Sequence, residues 1–79
     1  YPNPFNPVTN IHFTVPEDTK ISIEVYNVLG RLVETLSTDE YSAGNYSISW
    51  NANAQPSGLY FIKMSAEGFN DYQKIMLMK

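Results

Sequence analysis

Apolar residues at every second position constrain the fold of this chain more than any other feature. Three short runs, at residues 11–15, 21–26 and 46–50, alternate isoleucine, valine or aromatic residues with polar ones. Successive side chains of a β-strand point to opposite faces, so each run predicts a strand with one face turned toward a core.

Three further segments extend this pattern. Residues 59–65 are apolar on both faces until Lys63, which favours a central strand, and residues 71–79 place Ile75 and Leu77 on one face. The spacing of the apolar residues within residues 31–37 fits either a helix or a strand. We assign this segment to a strand because its neighbours are strands.

Turn-forming residues separate these runs at the spacing of about 8–12 residues that is typical of an all-β sandwich. The segment 27–30 ends in Gly30, where a tight hairpin needs a positive φ, and we expect Gly44 and Gly58 to act in the same way. The sequence therefore predicts an antiparallel β-sandwich of six or seven short strands. Its 79 residues have room for one domain, residues 1–79.

The first seven residues combine three prolines with two aromatic residues. Pro2 and Pro4 carry no N–H, so this segment cannot be an interior strand, and a residue that precedes proline is biased toward extended geometry. We expect the segment to lie along a sheet edge or across an open end of the sandwich, with Tyr1 and Phe5 as apolar anchors. We call it the N-terminal strap; it consists of Tyr1, Pro2, Asn3, Pro4, Phe5, Asn6 and Pro7.

Composition excludes several classes of function. The net charge is −3 and the five basic residues are scattered, which argues against a nucleic-acid partner. No apolar run approaches the roughly 18–20 residues that would span a bilayer, so we expect no transmembrane segment. Without cysteine the chain has no disulfide and no zinc-thiolate site. Because position 1 is not methionine and no signal peptide is visible, we expect a module of a larger protein.

Candidate catalytic groups are few and poorly placed. His12 alternates with apolar residues on a predicted strand, so we expect it to face solvent. The carboxylate pairs at residues 17–18 and 39–40 fall in predicted turns and match neither paired glycosidase acids nor a calcium loop. All four glycines fall in turns rather than in a phosphate loop. We therefore predict a module that is not an enzyme, with no catalytic, cofactor-binding or metal-binding residues and no cofactor.

The aromatic residues leave binding open as a function. Six tyrosines, four phenylalanines and one tryptophan are many for so small a core. Tyr26 on the polar face of its strand and Tyr41 in a predicted loop would suit a carbohydrate-binding module. We favour instead a core of Trp50, Phe13, Phe61 and Tyr60 with the tyrosines at its rim, because no aromatic triplet can be placed on one face from sequence.

Five motifs follow one another along the chain. They are YPNPFNP at residues 1–7, VYNVLGR at 25–31, AGNYSISWN at 43–51, SGLYF at 57–61 and KIMLMK at 74–79. In this order and spacing they resemble the C-terminal sorting domain, type A, of type IX secretion (the Por secretion system) in Bacteroidetes and related phyla. They also resemble the immunoglobulin-like domain of flagellar hook-capping proteins.

The sorting-domain resemblance implies a non-catalytic export signal with a seven-stranded immunoglobulin-like sandwich. It implies a cargo upstream in the same polypeptide, passage through the periplasm and the outer-membrane translocon, and arrival at the cell surface or outside the cell. It also implies a sortase-like peptidase that removes the domain when the cargo is anchored. In this family the final strand is associated with recognition by the translocon. The resemblance therefore implies that the residues recognised in this chain are Lys74, Ile75, Met76, Leu77, Met78 and Lys79. The residues that match the structural motif of the family are those of the strap together with Gly30, Gly44, Trp50 and Gly58.

Two alternatives to a sorting signal remain open at this point. One is an accessory β-sandwich of a secreted enzyme, either carbohydrate-binding or purely structural, and the other is a structural domain of the hook-cap type. If the final strand lies at a sheet edge, its backbone offers N–H and C=O groups to a partner by β-augmentation.

Overall fold

The computed structural model describes residues 8–78, which form six β-strands and no helix. No helix in this range is long and apolar enough to cross a membrane. The strands are β1 (Val8–Val15), β2 (Thr19–Asn27), β3 (Leu32–Tyr41), β4 (Gly44–Asn51), β5 (Gly58–Ala66) and β6 (Phe69–Leu77).

All strand pairs are antiparallel and form two sheets of unequal width. β1 pairs with β4 in one sheet, and the other has the order β3-β2-β5-β6. The predicted all-β antiparallel fold is confirmed, it is consistent with an immunoglobulin-like sandwich, and β5 is central as expected. The strap and Lys79 lie outside the described residues, so neither the anchoring role of the strap nor the full extent of the last motif is tested.

The alternating pattern places one face of each central strand in the core. On β2 the inward residues are Ile21, Ile23 and Val25, and each is at most 1% exposed. The inward residues of β5 are Tyr60, Ile62 and Met64, all buried. Facing them from the smaller sheet are Ile11, Val15 and Trp50, and Ala52 and Leu77 complete the buried set.

Trp50 on β4 joins the two sheets. Its side chain is 0% exposed, and its indole N–H donates to the Oε1 of Glu34 on β3 across 3.1 Å. Its ring packs edge-on against Tyr60, with ring centroids 5.2 Å apart, and the Tyr60 hydroxyl donates to the carbonyl of Pro56 at 2.7 Å. Both aromatic residues are thus buried with their polar groups satisfied, as expected for core positions.

Two of the aromatic assignments need correction. Phe61 is half-buried and lies on the face opposite the core, because the neighbouring Tyr60 and Ile62 take the inward positions of β5. Tyr41 lies not in a loop but at the end of β3, where it contacts Phe13 and Tyr46 with ring centroids 5.4 and 4.9 Å away. This three-ring cluster packs against the core from one side.

The β2–β3 hairpin has the predicted glycine geometry. Gly30 has φ 79°, and its N–H donates to the carbonyl of Asn27 at 2.9 Å. The Asn27 side-chain oxygen accepts from the backbone N–H groups of Leu29 and Arg31, which holds the turn from within.

Gly44 and Gly58 do not close hairpins, contrary to the expectation from the sequence. They are the first residues of β4 and β5, and the connections before them lead from one sheet to the other. The physical reason is that an apolar sheet face must be covered by a second layer, so the chain crosses between layers at these points.

We expect Gly30→Ala to lower the free energy of unfolding by about 1–2 kcal/mol, the cost of holding a Cβ-bearing residue in left-handed geometry. No atom lies within 4 Å of the added Cβ position, so a clash adds nothing. Gly30→Asn serves as the matched control and should cost less, because asparagine tolerates this geometry. Urea denaturation of the three chains measures the difference, and equal stability of all three would contradict the assignment.

Candidate recognition surface

β6 lies at the edge of the larger sheet. It pairs with β5 from Ala66↔Phe69 to Gly58↔Leu77 without a shift in register. Within residues 8–78 no strand pairs with its other side. The backbone on that side is therefore placed where an additional strand can be added.

The predicted recognition segment divides into an anchored and an exposed side. Leu77 is buried and Ile75 is half-buried, and both pack against the core. Lys74, Met76 and Met78 are exposed, with Met76 61% accessible. The core thus fixes the orientation of this segment and leaves its opposite side available to a partner.

The exposed side of β6 continues into a larger surface, the outer-face patch. We define it as the residues on the outward face of the sheet near the β2–β3 hairpin: Tyr26, Leu32, Leu59, Phe61, Lys63, Tyr72, Lys74 and Met76. Strand register places Tyr26 beside both Leu32 and Phe61, and Phe61 beside Lys74. The patch is therefore apolar with two cationic residues, and it lies at the end of the sheet where β6 terminates. Glu24 of β2 lies beside Lys63 on the same face and adds one carboxylate at its border.

Three aromatic side chains of this patch line a shallow cleft. Tyr26, Phe61 and Tyr72 lie around a volume of about 290 Å³, together with Lys63 and the hairpin residues Asn27, Val28 and Gly30. Sequence reasoning missed this triplet because it depends on the pairing of β2 with β5. These strands are far apart in sequence, and the alternation of each strand predicts its faces but not its neighbours.

Tyr26 is held in the patch by Glu24 of the same strand. Its hydroxyl donates to the Oε1 of Glu24 at 3.0 Å. This hydrogen bond, assisted by partial desolvation and by the nearby negative charge, raises the pKa of Tyr26 above its ordinary value of 10.0. The phenol therefore stays neutral, and its ring is oriented beside Phe61.

The groups weighed for catalysis do not converge. His12 is exposed on β1, as expected. Asp18 lies in the β1–β2 connection, where it accepts the backbone N–H of Ala43 at 2.8 Å, and Glu17 beside it is exposed. Asp39 and Glu40 lie within β3 rather than in a turn, because that strand continues to Tyr41.

The structure also bears on metal and carbohydrate binding. Among the described residues no cluster of three or more histidine and carboxylate side chains could hold a metal ion. Trp50 is buried, which excludes it as a platform for sugar stacking. Among the described residues, the outer-face patch offers aromatic side chains for such a role.

The chain is similar to a known protein family. A family model described as "Secretion system C-terminal sorting domain" matches residues 1–78. No curated protein and no solved structure matches the chain. The family match covers the strap, all six strands and the exposed side of β6, so it includes every motif noted in the sequence except the terminal Lys79.

We expect Glu24→Gln to lower the pKa of Tyr26 toward its ordinary value, because the variant removes both the carboxylate acceptor and its negative charge. In the native chain the neutral phenol adds stability that is fully present below pH 10 and is lost as pH rises through the raised pKa. NMR titration of the Tyr26 ring carbons measures the shift. Assignment is checked with Tyr26→Phe, and an unchanged titration in Glu24→Gln would contradict the hydrogen bond.

Proposed function

The chain belongs to the family of C-terminal sorting domains of type IX secretion, and from this premise we propose that β6 and the outer-face patch are the surface that the export machinery recognises. Family membership makes the chain a sorting signal, with a cargo in the same polypeptide and export across the outer membrane to the surface or the extracellular space. It also indicates a non-catalytic role.

The observation that carries this proposal is the regular, accessible edge of β6. Its register with β5 has no bulge, so the N–H and C=O groups on its outer side are evenly spaced for an incoming extended segment. One of them, the N–H of Tyr72, donates to the Oδ1 of Asp71 at 3.0 Å and would have to exchange this partner for the incoming strand. Such β-augmentation takes affinity from main-chain hydrogen bonds and specificity from alternate side chains. Met76 and Tyr72, each 61% exposed, would supply the apolar contacts.

The opposite edge of the same sheet is less suited to a partner. β3 pairs with β2 through two shifts in register, at Ile23/Glu24 and at Val25/Tyr26. Its sequence also carries Glu34, Asp39 and Glu40. Bulges and charges are devices that prevent edge-to-edge pairing. This contrast favours β6 as the edge available for recognition.

The charged residues of the patch indicate what kind of partner segment would fit it. Lys63 and Lys74 lie among the apolar residues of the patch, and the Glu24 carboxylate near them accepts the Tyr26 hydroxyl. A partner segment with alternating apolar and acidic residues would complement this surface. We propose such a segment as the element of the translocon that pairs with β6.

Later steps of export are proposed on the family resemblance alone. We propose that the domain passes through the periplasm with its cargo and that a sortase-like peptidase removes it when the cargo is anchored. The domain contributes recognition rather than chemistry to this sequence of events. The identity of the cargo does not enter the proposal.

A carbohydrate-binding function is the second candidate. It is favoured by one observation, the cleft bordered by Tyr26, Phe61 and Tyr72, since aromatic faces stack on sugar rings. Retention of the chain on insoluble polysaccharide, lost on Tyr72→Ala without unfolding, would support this candidate over recognition by the translocon.

We expect Met76→Asp to reduce export of a reporter fused to the chain at least tenfold in a host with type IX secretion, because it places a charge on the proposed recognition surface. Leu29→Asp is the matched control: Leu29 is 74% exposed but lies in the β2–β3 hairpin, and its variant should be exported normally. Surface substitutions of this kind change stability by only about 0.5 kcal/mol.

Deletion of residues 74–79 should also abolish export, but it removes Ile75 and Leu77 at roughly 1.5–3 kcal/mol each and needs a folding control. Equal export of Met76→Asp and Leu29→Asp would show that the exposed side of β6 is not recognised. Normal export after the deletion, with the rest of the chain folded, would contradict both the mechanism and the predicted role of these residues.

A further inference from the structure

The two edge strands of the larger sheet share one local arrangement of an aspartate. On β6 the Oδ1 of Asp71 accepts the backbone N–H of Tyr72 at 3.0 Å. On β3 the Oδ1 of Asp39 accepts the backbone N–H of Glu40 at 2.8 Å. Within residues 8–78 each of these strands pairs on one side alone, so both hydrogen bonds are made at an edge of the sheet.

Both N–H groups lie on the unpaired side of their strand. The residues of an edge strand direct their backbone N–H and C=O groups alternately toward the neighbouring strand and away from it. An N–H that donates to an aspartate side chain is not part of the ladder, so Tyr72 and Glu40 belong to the residues that point away. By the same alternation Lys74 and Met76 direct their backbone groups to the outer side of β6, together with Tyr72.

The two aspartates occupy positions that face the interior of the sandwich. Register places Asp71 beside Met64 and Asp39 beside Ile21, and both of these apolar side chains are buried. The aspartates themselves are exposed. A charged residue at an inward position of an edge strand disfavours pairing between edges, because a strand added there would enclose a charge without a partner.

We propose that Asp71 is an edge guard of β6, whose carboxylate occupies the place that the carbonyl of an added strand would take at Tyr72. It prevents β6 from pairing with strands that offer backbone hydrogen bonds and nothing more. The strand against which it guards is the β6 of a second copy of this chain, since an exposed regular edge is a template for pairing with another chain.

β6 depends on such a guard more than β3 does. Two shifts in register already distort the edge of β3, whereas β6 pairs with β5 without a shift. The side chains of Tyr72 and Met76, each 61% exposed, also make the surroundings of the β6 edge apolar. Lys74 adds a charge, but on the outward face of the strand. Asp71 is the charged residue whose side chain is bonded at the pairing side itself.

The guard makes the edge selective rather than closed. A strand that pairs first with residues 74–77 gains side-chain contacts with Met76, and it reaches Tyr72 with part of its interface already formed. It can then displace the Asp71 carboxylate from the N–H. This consequence rests on the proposed recognition of β6 by the export machinery, whereas the guard itself does not.

Amide hydrogen exchange at Tyr72 tests the hydrogen bond in dilute solutions of the full chain. Asp71→Ala removes the acceptor, and Asp71→Asn keeps a side-chain oxygen at the same place. After correction for intrinsic exchange rates, we expect exchange at Tyr72 to be at least threefold faster in Asp71→Ala and within twofold of native in Asp71→Asn. Equal exchange in the native chain and both variants would overturn the proposal.

Self-association tests what the guard prevents. Sedimentation velocity over a series of concentrations gives the dimer Kd of the native chain, Asp71→Ala and Asp39→Ala. We expect Asp71→Ala to dimerise at least tenfold more tightly than the native chain. Asp39→Ala is the matched control, because it also removes one negative charge at an edge, and it should stay within threefold of native since the register shifts still distort β3. Unchanged association of Asp71→Ala, or an equal increase in both variants, would contradict the guard.

NMR of a mixture of isotope-labelled and unlabelled Asp71→Ala chains identifies the edge that pairs. We expect intermolecular nuclear Overhauser effects between β6 strands and slower exchange at residues 72, 74 and 76. Intermolecular contacts confined to β3 or to the smaller sheet would overturn the proposal. Because these experiments contain no export machinery, their failure would leave the proposed function standing, and normal export of Met76→Asp would leave the guard standing.

Discussion

The burial of Trp50 between two sheets of unequal width is the interaction on which the rest of this structure depends. Its indole ring packs on Tyr60 of the wider sheet, and its N–H reaches Glu34 on the edge strand of that sheet. A chain of this length buries only about 60–65% of its unfolded surface, and it has no disulfide to compensate. Trp50, whose ring is buried and whose N–H is hydrogen-bonded, therefore contributes substantially to the packing of the two layers.

The unequal sheets also give the module its asymmetry. Within residues 8–78 the smaller layer has two strands and the larger has four, and the inward positions of β6 at Asp71 and Gln73 are exposed. The two edges of the wider sheet differ as well, since β3 is bulged and acidic whereas β6 is regular and continues into an apolar, cationic patch. A sorting signal must present something for its machinery to bind, and here the accessible features are backbone edges and a sheet face.

The local alternation of apolar and polar residues predicted each strand, but it did not predict which strands pair. Alternation identified the inward residues of β2 and the exposure of His12, and Gly30 has the positive φ that its turn requires. The errors arose where partners far apart in sequence decide the outcome. Phe61 faces outward because of the register of β5, and Gly44 begins a strand after the chain has crossed between sheets. The aromatic triplet of the outer face required the pairing of β2 with β5, which no local signal provides.

We propose that β6, rather than another edge of the sandwich, engages the export machinery. Hydrogen exchange of the chain with and without detergent-solubilised type IX translocon tests it most directly, because β3 provides an internal control in the same sheet. We expect the alternate amides of residues 70–77 that point away from β5 to gain at least tenfold protection on binding, while those of residues 32–41 are unchanged. Protection of β3, or binding without any added protection in β6, would contradict it.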